Sequence, residues 1–426
     1  MERNDPRYQA YVEILKEELI PAMGCTEPIA LAYAAAKARE VLGVLPDSVQ
    51  LQVSGSIIKN VKSVIVPNTG HLKGMEAAVA AGIIAGSAEK ELEVISEVSE
   101  EKKSAIRDYL QTVPITIEHT EKGHVFDIVV TERCGQDYAR VRIADYHTNI
   151  CRIEKNGTVL YEVPLLDETV QADARADRSL LNMQDIWDFA ETADLRDVAD
   201  LLERQIRYNN AIAEEGLLGD YGANIGRVLL TTYGNDISNR AKAKAAAGSD
   251  ARMNGCELPV IINSGSGNQG ITCSVPLIEY AKELHSGKEK LYRALIISNL
   301  VAIHEKTGIG TLSAYCGAVS AGAGAGAGIV YLCGDGYQAA IHTVVNALAI
   351  VSGIVCDGAK ASCAAKIASS VDAALLGYNM YKCNQEFKGG DGIVMKDIET
   401  TIKGIGRLGK DGMRQTNEEI IRLMMS

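Results

Sequence analysis

LSAYCGAVSAGAGAGAGIVYLC, residues 312–333, and YQAAIHTVVNALAIVSGIVC, residues 337–356, are two uncharged runs joined by a Gly-Asp-Gly turn. Each holds about 20 residues, which is the length of a membrane span. The first run is half Gly and Ala, however, and both carry polar residues: Ser320, His342, Asn346 and Ser352. Their flanks lack an aromatic belt. They read as buried helices of a globular protein, so no membrane is expected. Glycines at 322, 324, 326 and 328 each weaken a helix by about 1 kcal/mol relative to Ala. That cost is tolerated where a neighbouring backbone or a bulky cofactor comes close. Cys316 opens the first run, Cys356 closes the second and Cys363 follows. Three soft ligands at the ends of two buried segments favour a cofactor.

Around this pair, residues 179–426 carry only helix signals, near 183–192, 197–213, 222–233, 236–247, 272–286, 289–304, 358–377, 392–404 and 415–425. The N-terminal part is mixed. Helical spacing covers 7–21, and Ala-rich residues run from an N-cap at Thr26, with Pro28 in the first turn, to Gly43. SVQLQVSG reads as a strand and residues 54–70 as a turn-rich connection. Helices follow at 72–86 and 98–110. From 112 to 163 the period falls to two, in short Val/Ile/Thr runs separated by EKG, CGQD and KNG turns. This predicts an antiparallel meander, followed by a polar linker over 166–178. The fold class is α+β: an α/β domain with an antiparallel sheet (1–175), then an all-α domain with buried Gly-rich helices (176–426).

A net charge of −12 without a basic cluster argues against nucleic acid and anionic membranes as partners. The first residues are charged and lack the apolar core of a signal peptide. With ten cysteines, this points to a reducing cytoplasm rather than a disulfide framework. A homodimer is the default expectation for such a chain.

Three constellations carry chemistry. The spacing of Cys356 and Cys363 is a weak zinc signal, whereas an iron–sulfur cluster accepts wider spacing. Cys25, in MGCTEP, precedes a helix N-terminus, where partial positive charge lowers a thiol's pKa. It is a candidate nucleophile or base, or else a buried core thiol. The loops SDARMNG (249–255) and NSGSGNQG (263–270) form a candidate anion nest, or plain turns. A small carboxylate would suit the nest, with Arg252 as bidentate partner and Asn263, Ser264, Ser266 and Asn268 around it. His147 and His304 read as lone structural histidines.

Taken together, GCTEP (24–28), KN (59–60), VPNTG (66–70), HTNI (147–150), SDARMNG, NSGSGNQGIT (263–272), CDGAKASC (356–363) and GIVMKDIE (392–399) resemble the L-cysteine desulfidase family. That family is related to the α-chain of iron–sulfur L-serine dehydratases. The resemblance runs in order along nearly the whole chain. It implies a [4Fe–4S] enzyme that takes a small amino acid, L-cysteine, to sulfide, ammonia and pyruvate. It further implies Cys316, Cys356 and Cys363 as cluster ligands and Cys25 as the base. L-Serine is the alternative substrate, and a non-catalytic cluster-binding protein the alternative class.

Overall fold

The computed structural model describes residues 1–120, 124–165, 175–310 and 312–425. The chain opens with α1 (Pro6–Glu18), started by Pro6 and by Asp5, whose side chain accepts from the Arg7 N–H. β1 (Pro21–Met23) leads into α2 (Thr26–Leu42), which ends at Gly43 with φ 85°. β2 (Ser48–Val53), α3 (Gly55–Val61), α4 (Gly74–Ala85) and α5 (Glu100–Thr112) come next. Five strands follow: β3 (Ile115–His119), β4 (Asp127–Cys134), β5 (Asp137–Ala144), β6 (Ile150–Lys155) and β7 (Thr158–Glu162). The helical part begins with α6 (Met183–Thr192), α7 (Ala199–Leu218), α8 (Ile225–Tyr233) and α9 (Ile237–Met253). It continues through β8 (Pro259–Ile261), α10 (Gly267–Glu283), α11 (Lys288–Ile309) and α12 (Gly317–Cys333). α13 (Tyr337–Val351), α14 (Ser362–Lys382), α15 (Ile398–Arg407) and α16 (Arg414–Met425) complete it.

The α+β class is what the periodicities predict, with an N-terminal α/β part and a helical C-terminal part. β4 to β7 form the expected antiparallel meander, and Asn156 (φ 50°) and Gly157 (φ 82°) make the β6–β7 hairpin turn. β3 departs from it. The strand order is β3-β2-β4-β5-β6-β7, and β3 runs parallel to β2, so the sheet is mixed. α3 to α5 supply the long crossover that a parallel pair needs. Alternation identifies a strand but not its neighbour. The EKG residues 121–123 lie outside the described residues, yet they join strands that are not adjacent and so do not close a hairpin.

Three further expectations change. Residues 55–61, read as a turn-rich connection, form α3. The C-terminal part is not wholly helical, since β8 pairs antiparallel with β1 (Pro21↔Ile261, Met23↔Pro259). Three residues are too few to show a period. Of the expected linker, 166–174 lie outside the described residues, while Arg175 and Arg178 dock on α1 through Glu17 and Glu18.

α12 sits among α10, α11, α13 and α14. A Cβ at Gly324 would lie 2.4 Å from the Ser298 carbonyl of α11, and one at Gly322 2.8 Å from the Ser370 backbone of α14. The glycine run therefore serves close helix packing and does not cradle a cofactor. No helix among the described residues is long and apolar enough to cross a membrane.

Candidate active site

Two helices start side by side because β1 and β8 pair: β1 feeds α2 and β8 feeds α10. Between them, Asn263 and Ser266 exchange backbone hydrogen bonds around Ser264 (φ 48°) and Gly265 (φ 75°), a tight primed turn. Thr26 Oγ1 donates to the Gly265 carbonyl at 2.9 Å and fixes this turn to α2. The first turns of α12 and α14 meet the same space. A cavity of about 110 Å³ results, lined by residues of both halves of the chain. Helix N-termini leave backbone N–H groups unpaired and carry partial positive charge, so this space favours an anion.

The cavity gathers most of the residues that the sequence singles out. Cys25, Arg252, Ser264, Ser266, Asn268, Cys316, Cys356 and Cys363 all line it. Asn263 does not. Its amide donates to Asn299 and its carbonyl oxygen accepts from Ser264 Oγ, so it braces the turn from behind. Arg252 sits in the last turn of α9 and Asn268 in the first turn of α10, not in loops.

Cys316 and Cys356 are held by backbone pairing. The Cys316 N–H donates to the Ile354 carbonyl at 3.1 Å, and the Cys356 N–H to the Ala314 carbonyl at 2.6 Å. Gly358 (φ 92°) lets the second cysteine loop lie on α3, where a Cβ would meet the Lys59 carbonyl at 2.1 Å. The buried Lys59 ammonium donates to Asn417 Oδ1 (2.7 Å), the Cys356 carbonyl (3.3 Å) and the Ser313 carbonyl (3.4 Å). It thus ties both cysteine segments to α16.

Cys25 is the N-cap residue of α2, one position before the predicted Thr26, and does not cap with its side chain. Its thiol donates to Glu27 Oε2 at 3.0 Å. Glu27 also accepts from Thr26 Oγ1 (3.1 Å) and Asn60 Nδ2 (2.9 Å), and its Oε1 faces His147 Nε2 at 3.9 Å. Burial works against the Glu27 charge, but His147 and the Cys25 thiol outweigh it and hold the carboxyl down at about 2. Cys25 moves the opposite way from the helix-dipole expectation. Burial pushes the thiol well above its usual range, the Glu27 charge adds to this, and Arg252 opposes it.

Two buried cations line the cavity without an ion pair among the described residues. Arg252 is 2 % exposed, its Nε is unpartnered, and Gly267 makes room for it, since a Cβ there would lie 2.2 Å from that nitrogen. Lys306 is 7 % exposed on α11, and its ammonium has no hydrogen-bond or ion-pair partner among the described residues. Burial pushes its ammonium down to about 8, against the charges of Cys356 and Cys316. Asn60 Oδ1, His147 Nε2, Asn268 Oδ1 and Gln269 Oε1 are also orphaned here. Buried polar atoms are normally satisfied, so their gathering around one cavity marks a binding site.

All three cavity thiols of the helical part are free. Among the described residues no three His, Cys, Asp or Glu side chains converge tightly enough for a single metal ion. A cluster binds each thiolate at a separate iron and asks for thiols spread around one space. Cys316, Cys356 and Cys363 fit that demand, with Lys306 as an unpaired cation beside them.

Residues 89–422 match the family model described as serine dehydratase alpha chain. The chain belongs to the serine dehydratase alpha-chain family. Relatives along the full length include a UPF0597 protein of Desulfitobacterium hafniense, 61 % identical over 100 % of this chain and 99 % of its own. Others come from Lachnoclostridium phytofermentans (53 %, covering 98 % and 100 %) and Treponema denticola (47 %, covering 100 % of both). The serine dehydratase alpha-chain match begins after α2 and α3, so Cys25, Glu27, Lys59 and Asn60 lie in the part shared with the UPF0597 relatives.

Glu27, Asn60, His147, Gln269 and Lys306 were not legible as site residues. Glu27, Asn60, His147 and Gln269 sit inside the motifs that carry the family resemblance, which was the available signal. His147, read as structural, lies on the cavity wall, whereas His304 bonds Glu399 at 2.9 Å as a structural histidine would.

Proposed function

We propose that the chain is an iron–sulfur lyase that removes sulfide from L-cysteine by β-elimination, leaving pyruvate and ammonia. The observation that carries this reading is the single cavity where three free thiols meet an unpaired arginine and the Cys25–Glu27 pair. Cys316, Cys356 and Cys363 would hold a [4Fe–4S] cluster, which supplies a Lewis-acidic iron for the substrate's sulfur.

The residues of the chain do the rest. Arg252 pairs with the substrate carboxylate, and Ser264, Ser266 and Asn268 offer hydrogen bonds around it. Cys25 first gives its thiol proton to bulk water, and the resulting thiolate takes the Cα proton. The Cα–H electron pair becomes the Cα=Cβ bond, and the Cβ–S pair leaves with sulfur. Free aminoacrylate then tautomerises, and water hydrolyses it to pyruvate and ammonia. On this reading residues 1–175 bring the base and 176–426 the cluster ligands. The oxygen-sensitive cluster and the ten thiols suit the reducing cytoplasm. The family match also favours a second reading, with L-serine as substrate and water as leaving group.

Anaerobically purified protein should contain stoichiometric iron and sulfide, and should release sulfide and pyruvate from L-cysteine faster than pyruvate from L-serine. The Cys356→Ala protein should lose the cluster and all turnover. Faster turnover of serine would decide for the second reading. A cluster without turnover of either amino acid would overturn both.

A further inference from the structure

We propose that Glu27 and Asn60, with His147 beside them, form the subsite that takes the substrate's α-ammonium, and so restrict this cavity to α-amino acids. The assignment rests on the β-elimination reading above and names the residues that hold the substrate's amino group.

Three acceptors gather around one carboxylate oxygen. Asn60 Nδ2 donates to Glu27 Oε1 at 2.9 Å, and His147 Nε2 stands 3.9 Å from the same oxygen. All three side chains line the cavity. The Asn60 contact fixes the orientation of its amide, since the flipped amide would set two acceptors against each other, and it leaves Oδ1 as the free end. Asn60 Oδ1 and His147 Nε2 are buried without a hydrogen-bond partner among the described residues. At 3.9 Å, His147 is too far from Oε1 for a direct hydrogen bond. A nitrogen donor seated between the two would reach both.

What is missing here is a donor, and a cationic one. Glu27 is buried, its carboxyl is held down at about 2, and no lysine or arginine among the described residues pairs with it. A buried carboxylate is costly until both hydrogen bonds and a cation answer it. A cluster on Cys316, Cys356 and Cys363 would not satisfy these atoms, because its sulfurs accept hydrogen bonds and donate none. An ammonium brings three N–H donors and a positive charge to Glu27 Oε1, Asn60 Oδ1 and His147 Nε2.

The position also suits the proton transfer. Glu27 Oε2 accepts from the Cys25 thiol at 3.0 Å. An ammonium on Oε1 is one bond from Cα, so a single carboxylate would hold Cα and the base side by side.

L-Alanine and propionate differ in the α-ammonium, and neither carries a leaving group. Their binding to holoenzyme is measured by calorimetry for the parent, Glu27→Gln and Asn60→Ala. A site built to hydrogen-bond a polar group rejects the analogue that lacks it, so the parent should bind L-alanine about 100-fold or more tighter than propionate. Glu27→Gln keeps the shape but removes the charge, and should shrink that ratio about 30-fold. Asn60→Ala should shrink it about tenfold and serves if the Gln variant fails to fold. A merely structural role would weaken both ligands alike and leave the ratio where it was. That result, or a parent that does not prefer L-alanine, would overturn the proposal. If the parent shows the preference but turns over neither cysteine nor serine, the subsite stands and it is the β-elimination reading that has failed.

Discussion

Glu27 shows how one carboxylate sets the chemistry of its neighbour. It accepts a hydrogen bond from the Cys25 thiol at 3.0 Å, and burial and this charge together favour the thiol over the thiolate. Lys59, Arg252 and His147 also face the pair from α3, α9 and the β5–β6 connection. Turnover limited by the thiolate should therefore rise with pH into the alkaline range. Glu27→Gln removes a negative charge beside the sulfur, which stabilises the thiolate and lowers the Cys25 pKa. The alkaline limb of the pH–rate profile should move to lower pH, and alkylation of Cys25, followed by peptide mass spectrometry, should be faster than in the parent at pH 8. Slower or unchanged alkylation would show that the contact does not govern the thiol. The stability side has the opposite sense, because the Glu27 carboxyl is depressed to about 2 from an ordinary 4.5. Its contribution is fully present above about 4.5 and is lost as pH falls through about 2.

At the scale of elements, α12 trades intrinsic helix stability for close approach. Backbone atoms of α11 and α14 stand too near for a side chain at Gly322, Gly324 and Gly328, and the side chains of Thr343, Ala374 and Leu277 from α13, α14 and α10 crowd Gly326 and Gly328. An alanine is a better helix former than glycine by about 1 kcal/mol, so an exposed helix would gain from the change. Gly324→Ala should do the reverse. Its Cβ would lie 2.4 Å from the Ser298 carbonyl, and neither helix backbone can retreat without disturbing its other neighbours. Overpacking of this kind costs about 1–3 kcal/mol. Urea denaturation should show a midpoint lower than the parent's, and a midpoint equal or higher would mean that α11 and α12 can move apart. Composition announced the unusual helix, but only the surrounding four helices say why it is unusual. The four cysteine-bearing positions behave likewise. Cys316, Cys356 and Cys363 stood out at the ends of apolar runs, while Cys25 stood out at a helix start. Nothing in their spacing places them in one cavity.

For the molecule as a whole, the site exists because distant segments are fastened together. The β1–β8 pair joins α2 to α10, and Lys59 joins α3 to both cysteine segments and to α16. Lys59→Met would leave those buried acceptors without their donor, a loss of about 1–3 kcal/mol. Chemical denaturation of the cluster-free chain should show that drop, and an unchanged midpoint would mean that the ammonium does not brace the loops. The sequence by itself determined the α+β class, the β4–β7 meander and the helical C-terminal part, and it supplied the residue types that the proposed cluster and base would use. These follow from periodicity, turn residues and composition, all of which act over a few neighbouring positions. The tertiary structure alone decided that β2 enters the sheet between β3 and β4, that β8 exists, and that Asn263 braces while Asn268 lines. It alone placed Glu27, Asn60, His147 and Lys306 around one space. A lone histidine or lysine has no spacing to read, and its role depends on which buried charges the fold leaves without a partner.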